Sequence, residues 1–333
     1  MAEYKGIKGF KVQSLASDPS PLNVGQIWYN TTGNALKYTA NLGAWASGGA
    51  VPVGVTAGLV SAGSATAALM GAGLASDPDG GYKKISYEYN GVAWGSPVSM
   101  NRNVGAYTQG GGTQTAAISG GWYQASDPAG VQSSAETYDG STWTTVNSCI
   151  NALGMRSHSG TTGALVAAGG FNVTPSPPVA NVEDWDGTSW SEVNDLNTAR
   201  RTPVQHNGTA TAALCIGGTP DSAAVEQYDG TSWTTLAASL NTARGGPGGA
   251  GNTTLAIVYG GTPGAMTVTE SWDGTSWTEL ADLSTGTAEG GAAGSTTSND
   301  SALAISGGAG AATAVTATEE WSYADTVKTV TVS

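Results

Sequence analysis

The sequence predicts an all-β fold closed into a six-bladed propeller. Three observations carry that expectation. A short run of small and apolar residues ending in a glycine pair or near-pair recurs at Leu69 to Gly73, Ala116 to Gly121, Leu165 to Gly170, Leu214 to Gly218, Leu255 to Gly261 and Leu303 to Gly308. After each run comes an aromatic–turn–tryptophan unit: Tyr89-Asn-Gly-Val-Ala-Trp94, Tyr138-Asp-Gly-Ser-Thr-Trp143, Trp185-Asp-Gly-Thr-Ser-Trp190, Tyr228-Asp-Gly-Thr-Ser-Trp233, Trp272-Asp-Gly-Thr-Ser-Trp277 and the degenerate Trp321-Ser-Tyr323. Successive tryptophans, Trp94, Trp143, Trp190, Trp233 and Trp277, lie 49, 47, 43 and 44 residues apart, which is the length of one four-stranded blade.

The chain opens differently. Gly25 to Asn34 and Ala35 to Thr39 are two β-prone runs around Asn30-Thr-Thr-Gly33, a hairpin signal. The stretch Tyr4 to Val12 before them is basic, whereas the remainder is acidic. Residues 1–49 are therefore expected to form a separate hairpin segment, and residues 50–333 the propeller, folding without it.

Residues 196–237 show how a blade is written. Leu196-Asn197 opens it, and Thr209 to Ile216 reads as a buried strand stopping at Gly217-Gly218, where glycine permits positive φ or a close backbone approach. Val225 to Tyr228 is the third strand, Asp229-Gly230 a tight turn, and Trp233 the start of the outer strand. The inner strands of a propeller crowd the axis and suit Ala, Gly, Ser and Thr, while the outer strand has room for Trp. The same reading assigns structural roles to Gly120, Gly121, Gly169, Gly170, Gly260, Gly261, Gly307 and Gly308 and to the five tryptophans. For closure, the alternating tail Val327 to Val332 is the favoured outer strand of the last blade; the alternative is an N-terminal strand ending at Trp45, 49 residues before Trp94 and in phase with the repeat.

A strand ending in Gly-Gly, a Glu two places before Tyr or Trp, and a Trp five residues on together resemble the Kelch family; Met155-Arg-Ser-His-Ser159 also resembles its first-strand signature. The resemblance spans roughly residues 50–333 and implies a fold rather than a function. The opening, with Ile27-Trp28-Tyr29-Asn30, Leu36-Lys37-Tyr38 and Ala44-Trp45 leading into the repeats, is similar to the N-termini of structural proteins of tailed phages, marine cyanophages especially. That similarity implies a virion protein, a tail fibre or peripheral appendage present in several copies. Ile27, Trp28, Tyr29, Leu36, Tyr38 and Trp45 would attach it to other virion proteins, and the propeller would meet host-surface glycans or neighbouring subunits.

Composition narrows the alternatives. A formal charge of −13 with twelve scattered Lys and Arg offers no basic surface for nucleic acid. The apolar runs are short and broken by glycine, so membrane insertion is not expected. Cys149 and Cys215 imply no disulfide framework, and Cys215 lies in the apolar run Ala213 to Ile216. His158 and His206, each eleven residues before its glycine pair, are expected at equivalent positions of neighbouring blades, too few ligands for a metal site.

Glu136, Glu183, Glu226, Glu270 and Glu319 each precede the third-strand aromatic by two residues. Spread around a ring, they do not supply the paired carboxyls, about 5 to 10 Å apart, of a glycosidase. Contacts to Arg156, Arg200 and Arg244 between blades are the structural expectation. The Asn101, Asn151, Asn197 and Asn241 series suits local turn bonds, with a sugar-binding face as its alternative. The chain is thus expected to be non-enzymatic, without cofactor or metal. The competing readings are a carbohydrate-active propeller enzyme and a cellular Kelch-type interaction module.

Overall fold

The computed structural model describes residues 12–23, 25–55, 59–75, 81–82, 84–101, 108–124, 130–172, 177–204, 207–308 and 314–330. Two compact units are present, Met1–Ala44 with Tyr323–Ser333, and Trp45–Ser322. The larger unit is the propeller. Its N-terminal limit is Trp45 rather than the Ala50 expected from sequence, because the end of the strand Ala35–Ser47 belongs to the propeller.

Five blades are four-stranded antiparallel sheets whose strand order follows the chain. Blade 1 is Val60–Ser64, Ala67–Gly71, Ile85–Tyr89 and Val98–Ser99; blade 2 is Gly110–Thr113, Ala116–Gln124, Gly130–Tyr138 and Trp143–Val146. Blade 3 is Ser157–Thr161, Ala164–Ala168, Val182–Trp185 and Trp190–Val193; blade 4 is Gly208–Thr209, Ala212–Ile216, Val225–Tyr228 and Trp233–Thr235. Blade 5 is Gly248–Gly251, Ala256–Tyr259, Thr269–Trp272 and Trp277–Glu279. The run Thr209 to Ile216, read as one strand, is split by a turn at Ala210-Thr211 into the first and second strands.

Blade 6 corrects the closure expected from sequence. Its strands are Gly291–Gly294, Ser301–Gly308, Ala314–Thr329 up to residue 322, and then the end of the N-terminal strand Ala35–Ser47. Gly48 N donates to Thr318 O at 2.7 Å and Val51 N to Thr316 O at 2.9 Å. Trp45 is the missing sixth outer tryptophan. In the other blades the third-strand aromatic faces the outer Trp, as in Tyr228–Trp233 at 4.9 Å and Trp272–Trp277 at 5.3 Å; here Trp45 and Trp321 lie 5.4 Å apart. The C-terminal tail could not play this part because its chain is already spent in the third strand.

Each outer tryptophan packs on the blade before its own. Trp143 joins Val60 and Leu69 of blade 1, Trp190 joins Ile118 and Ala135 of blade 2, and Trp233 joins Val166 and Val182 of blade 3. Trp277 meets Leu214 and Val225 of blade 4, and Trp45 meets Tyr259 of blade 5 edge-on at 4.7 Å. Where the third-strand residue before the Glu position is Ser or Thr, the indole N–H donates to it: Trp143 to Ser86 at 2.9 Å, Trp94 to Thr318 at 3.2 Å and Trp45 to Thr269 at 2.9 Å. Val182 and Val225 take that place in blades 3 and 4, and the buried Nε1 atoms of Trp233 and Trp277 have no acceptor among the described residues. A buried donor without a partner costs roughly 1–3 kcal/mol. Val225→Thr is therefore expected to raise stability by about 1 kcal/mol, read as a higher urea midpoint; an unchanged or lower midpoint would mean that the hydroxyl does not reach Trp277.

The ring is tied together where each second strand ends. Gly170 N donates to Arg200 O, Gly218 N to Arg244 O, Gly261 N to Thr287 O and Gly307 N to Val55 O, at 2.8, 2.9, 2.7 and 3.2 Å. The last of these joins blade 6 to the chain entering blade 1. The residue before each donor is left-handed, and at Gly217 a Cβ would stand 2.6 Å from Arg244 O. The device does not always coincide with the glycine pair. Its left-handed residue is Ser306 in blade 6 (φ 52°), Ala72 in blade 1 (φ 58°) and Gly121 in blade 2 (φ 71°). In blade 6 the pair is therefore Ser306-Gly307 rather than Gly307-Gly308. Ser306 is tolerated because its hydroxyl accepts from Val55 N at 3.1 Å and donates to Val315 O at 2.6 Å. Gly120 is small for another reason, since a Cβ there would press on Cys149 Sγ and the Trp190 ring at 2.9 and 3.0 Å.

The Asp-Gly turns are closed by their own carboxylates. Asp139 accepts from the backbone of Ser141 and Thr142, and Asp186, Asp229 and Asp273 repeat the pattern. The backbone N–H of Thr142 and the Ser141 donors hold the Asp139 carboxyl down at about 2, and the same bonds lower the other three. A lowered folded pKa means the stabilisation is complete above the unfolded value near 3.8 and is lost as pH falls through the folded one. Thermal stability is expected to drop between about pH 4 and pH 2, and the quadruple Asp→Asn variant to flatten that slope. Asn90 already closes the equivalent turn of blade 1 with its Oδ1. An unaltered slope in the variant would place the acid sensitivity elsewhere.

In the smaller unit the order is Gln13–Leu15, parallel to Ile27–Asn30, which is antiparallel to the first part of Ala35–Ser47. Val330 N donates to Leu36 O at 2.9 Å. One face is internal: Trp28 is fully buried, and Asp18 accepts from Trp28 Nε1, Asn30 Nδ2 and Lys37 Nζ at 3.2, 2.9 and 3.0 Å. The other face carries Ile27 opposite Tyr38 and Tyr29 opposite Leu36. Of the six residues assigned to attachment, these four are outward, with Ile27 47% exposed. Trp28 is a core residue of this unit and Trp45 the closing tryptophan of the propeller, because alternation along each strand turns them inward.

Candidate functional site

Four of the five recurrent glutamates are bound by the scaffold. Glu226 accepts from Asn197 N at 2.7 Å, Thr198 N at 3.1 Å and Arg200 Nη2 at 2.7 Å, and Glu270 from Asn241 N, Thr242 N and Arg244 Nη2 at 2.7, 3.1 and 2.6 Å. Glu183 binds Ile150 N, Asn151 N and the Arg156 guanidinium, the last at 3.3 Å. Glu319 accepts from Ser284 N and Thr285 N, with Thr287 in the place of the arginine. Glu136 is fully buried at the same position.

These clamps join the incoming linker to the third strand of the same blade, not one blade to the next as expected. The asparagines belong to them: Asn197 Nδ2 donates to Trp233 O at 2.8 Å and Asn241 Nδ2 to Trp277 O at 3.2 Å. His158 is buried on the first strand of blade 3, and His206 lies outside the described residues. Among the described residues no three metal-ligating side chains cluster. Burial pushes the Cys215 thiol up to about 12, far from a nucleophile's range.

In a repeat protein, positions that obey the repeat hold the ring. Positions that are equivalent in space but differ in chemistry are free for another task. One such set lies at the end of the channel where first strands begin and second strands stop. Isolated bridges pair Gly154 with Phe171, Arg201 with Thr219, Gly245 with Thr262 and Ala288 with Gly308. The rim thus presents Phe171, Thr219, Thr262 and Gly308 at one ring of equivalent places, and glycine, arginine, glycine and alanine at the next. Tyr123, two residues after Gly121 as Phe171 is after Gly169, extends the first ring into blade 2.

Just inside runs a backbone belt. Thr202 N donates to Met155 O, Gly246 N to Thr202 O and Glu289 N to Gly246 O, each at 2.9 Å. Met155, Thr202, Gly246 and Glu289 are all left-handed, with φ of 56°, 50°, 57° and 55°. Three non-glycine residues held in that region at one place mark a locally strained rim.

Its side chains divide in two. On the aromatic side the Arg201 guanidinium lies 5.8 Å from the centre of the Phe171 ring, and Tyr123 and Phe171 are 6.1 Å apart. Arg156, Arg200 and Arg244 are buried in clamps, whereas Arg201 is half-exposed and makes no side-chain hydrogen bond among the described residues. On the other side Thr202 and Thr219 hydroxyls bond at 2.8 Å, and Thr262 donates to Asp221 at 2.7 Å. Glu289 leans back over Gly246: a Cβ on that glycine would fall 2.7 Å from the Glu289 Cγ. Burial raises the Glu289 carboxyl, and the nearby Arg201 charge opposes that shift. Gly308 and Met155 were legible from sequence only as parts of the repeat, and Tyr123, Phe171, Arg201 and Glu289 were not singled out. Their only signal is departure from the repeat, which shows once the blades are superposed in register.

The opposite end of the channel holds a cavity of about 350 Å³ among the first hairpin turns of blades 1, 2 and 6, lined by Ser64, Thr113, Gln114 and Ser295. The Gln114 amide is spent on Ala68 O and Tyr89 O. That leaves little convergent chemistry there.

No family model matches the chain, and no curated protein matches it. Solved structures do match, and fold and repeat together define a Kelch-like β-propeller. The chain is similar to YjhT, a Kelch-repeat propeller protein, with a TM-score of 0.66 over 81% of this chain and 95% of that one at 15% identity. At that identity what is shared is the fold.

Proposed function

We propose that this protein is a non-enzymatic structural protein of a tailed-phage particle, a tail fibre or peripheral appendage that displays the propeller toward the host surface or neighbouring subunits. The observation that carries the non-enzymatic part is the fate of the recurrent glutamates. Glu183, Glu226, Glu270 and Glu319 all bind backbone N–H groups of linkers, so the carboxylates that recur with the blades serve structural clamps rather than the paired acid and base roles of a glycosidase. The phage assignment rests on the opening sequence. Attachment to other virion proteins falls to the outward strip of Ile27, Tyr29, Leu36 and Tyr38, an apolar sheet face of the kind that partners cover.

Host-surface glycans are the propeller's ligands in this reading, bound weakly per site and strengthened by several copies. Antibody labelling and mass spectrometry of purified particles test it, with the protein expected as a stoichiometric component. Absence from particles would overturn the assignment. Incubation with host polysaccharide is expected to leave chain length unchanged; depolymerisation lost on Glu289→Gln would favour the carbohydrate-active enzyme instead.

A further inference from the structure

We propose that the channel rim formed by Tyr123, Phe171, Arg201 and Glu289 binds a neutral saccharide through a pair of adjacent hydroxyl groups. The inference deepens the display reading and rests on it, since it names the site and the ligand class that a host-facing propeller would use.

The chemistry selects the ligand. A guanidinium offers only donors, and an ionised carboxylate only acceptors. The Arg201 guanidinium sits 5.8 Å from the Phe171 ring centre and has no acceptor among the described residues, so its N–H groups are available to a ligand. Glu289 Cγ lies over Gly246, whose N–H is bonded to the carbonyl of Thr202, the neighbour of Arg201 in the chain; Glu289 and Arg201 form no ion pair among the described residues. Hydroxyls donate and accept, so two neighbouring ones satisfy both groups at once.

A phosphate, sulfate or uronate would suit Arg201 but would face Glu289, Asp221 and a chain of net charge −13. A cation would suit Glu289 and be repelled by Arg201. Half-exposed Tyr123, beside Phe171, supplies an aromatic surface for the C–H face of a sugar ring. The belt of left-handed residues beneath keeps Thr202 and Glu289 fixed in direction, which lowers the ordering cost of binding.

The test uses the full chain, titrated by saturation-transfer NMR and calorimetry with neutral oligosaccharides and, separately, with uronate-containing ones. Neutral sugars are expected to bind in the millimolar range. Arg201→Ala and Glu289→Gln should each weaken them about tenfold, the loss of one hydrogen bond to a charged group, with melting temperature unchanged. Arg201→Lys, which keeps the charge but not the planar fork, should also weaken binding. No neutral sugar binding, binding indifferent to both substitutions, or tighter binding of the uronates would each overturn the proposal. None of these outcomes touches the particle assay, so a protein found in virions without a rim sugar site would leave the display reading standing and remove this one.

Discussion

A chain beginning at Ala50 is expected not to form the native propeller. Removing residues 1–49 deletes the fourth strand of blade 6, and with it the Trp45 ring that covers Tyr259 and Trp321 and donates to Thr269 Oγ1. It also deletes the bond from Gly48 N to Thr318 O, leaving a third strand with an open edge. Trp45→Ala alone should cost about 3 kcal/mol, the lower end for a large aromatic because this ring is only partly buried. Set against total stabilities of about 5–15 kcal/mol, loss of the whole strand removes cooperative folding. Urea denaturation followed by tryptophan fluorescence reads both. A cooperative transition in the 50–333 chain at the parent midpoint would sink this account and restore the independent propeller expected from sequence.

Glu226→Ala should cost about 3–5 kcal/mol, because it strands Arg200 as a buried charge and leaves two linker N–H groups without acceptors. Glu319→Ala provides the contrast. It removes acceptors from Ser284 N and Thr285 N but abandons no arginine, and should cost about 1–3 kcal/mol. The paired replacement Arg200→Met with Glu226→Leu should recover part of the loss but not all, since the linker amides stay unsatisfied. Equal effects of Glu226→Ala and Glu319→Ala in chemical denaturation would show that the guanidinium finds water or another acceptor, and that the ion pair adds nothing to the clamp.

The period of the tryptophans and the glutamate two residues before five of the six third-strand aromatics determined the fold class, the blade number and the identity of the interblade packing residues. That information is local and repeated: each blade solves the same problem of burying a tryptophan and closing a turn, so one repeat teaches the next. Three things depended on the tertiary structure. Closure by Trp45 rather than the C-terminal tail was decided when Ala314–Thr329 filled the third-strand place, a competition between distant segments for one sheet edge. The left-handed corner fell on Ser306 and Ala72 as well as on glycine, and at Ser306 it is set by the bond from Gly307 N to Val55 O of the chain entering the next blade rather than by residue type. The rim of Tyr123, Phe171, Arg201 and Glu289 comes from four separate repeats and has no sequence pattern, since its members are defined only by breaking a symmetry that the folded ring alone makes visible.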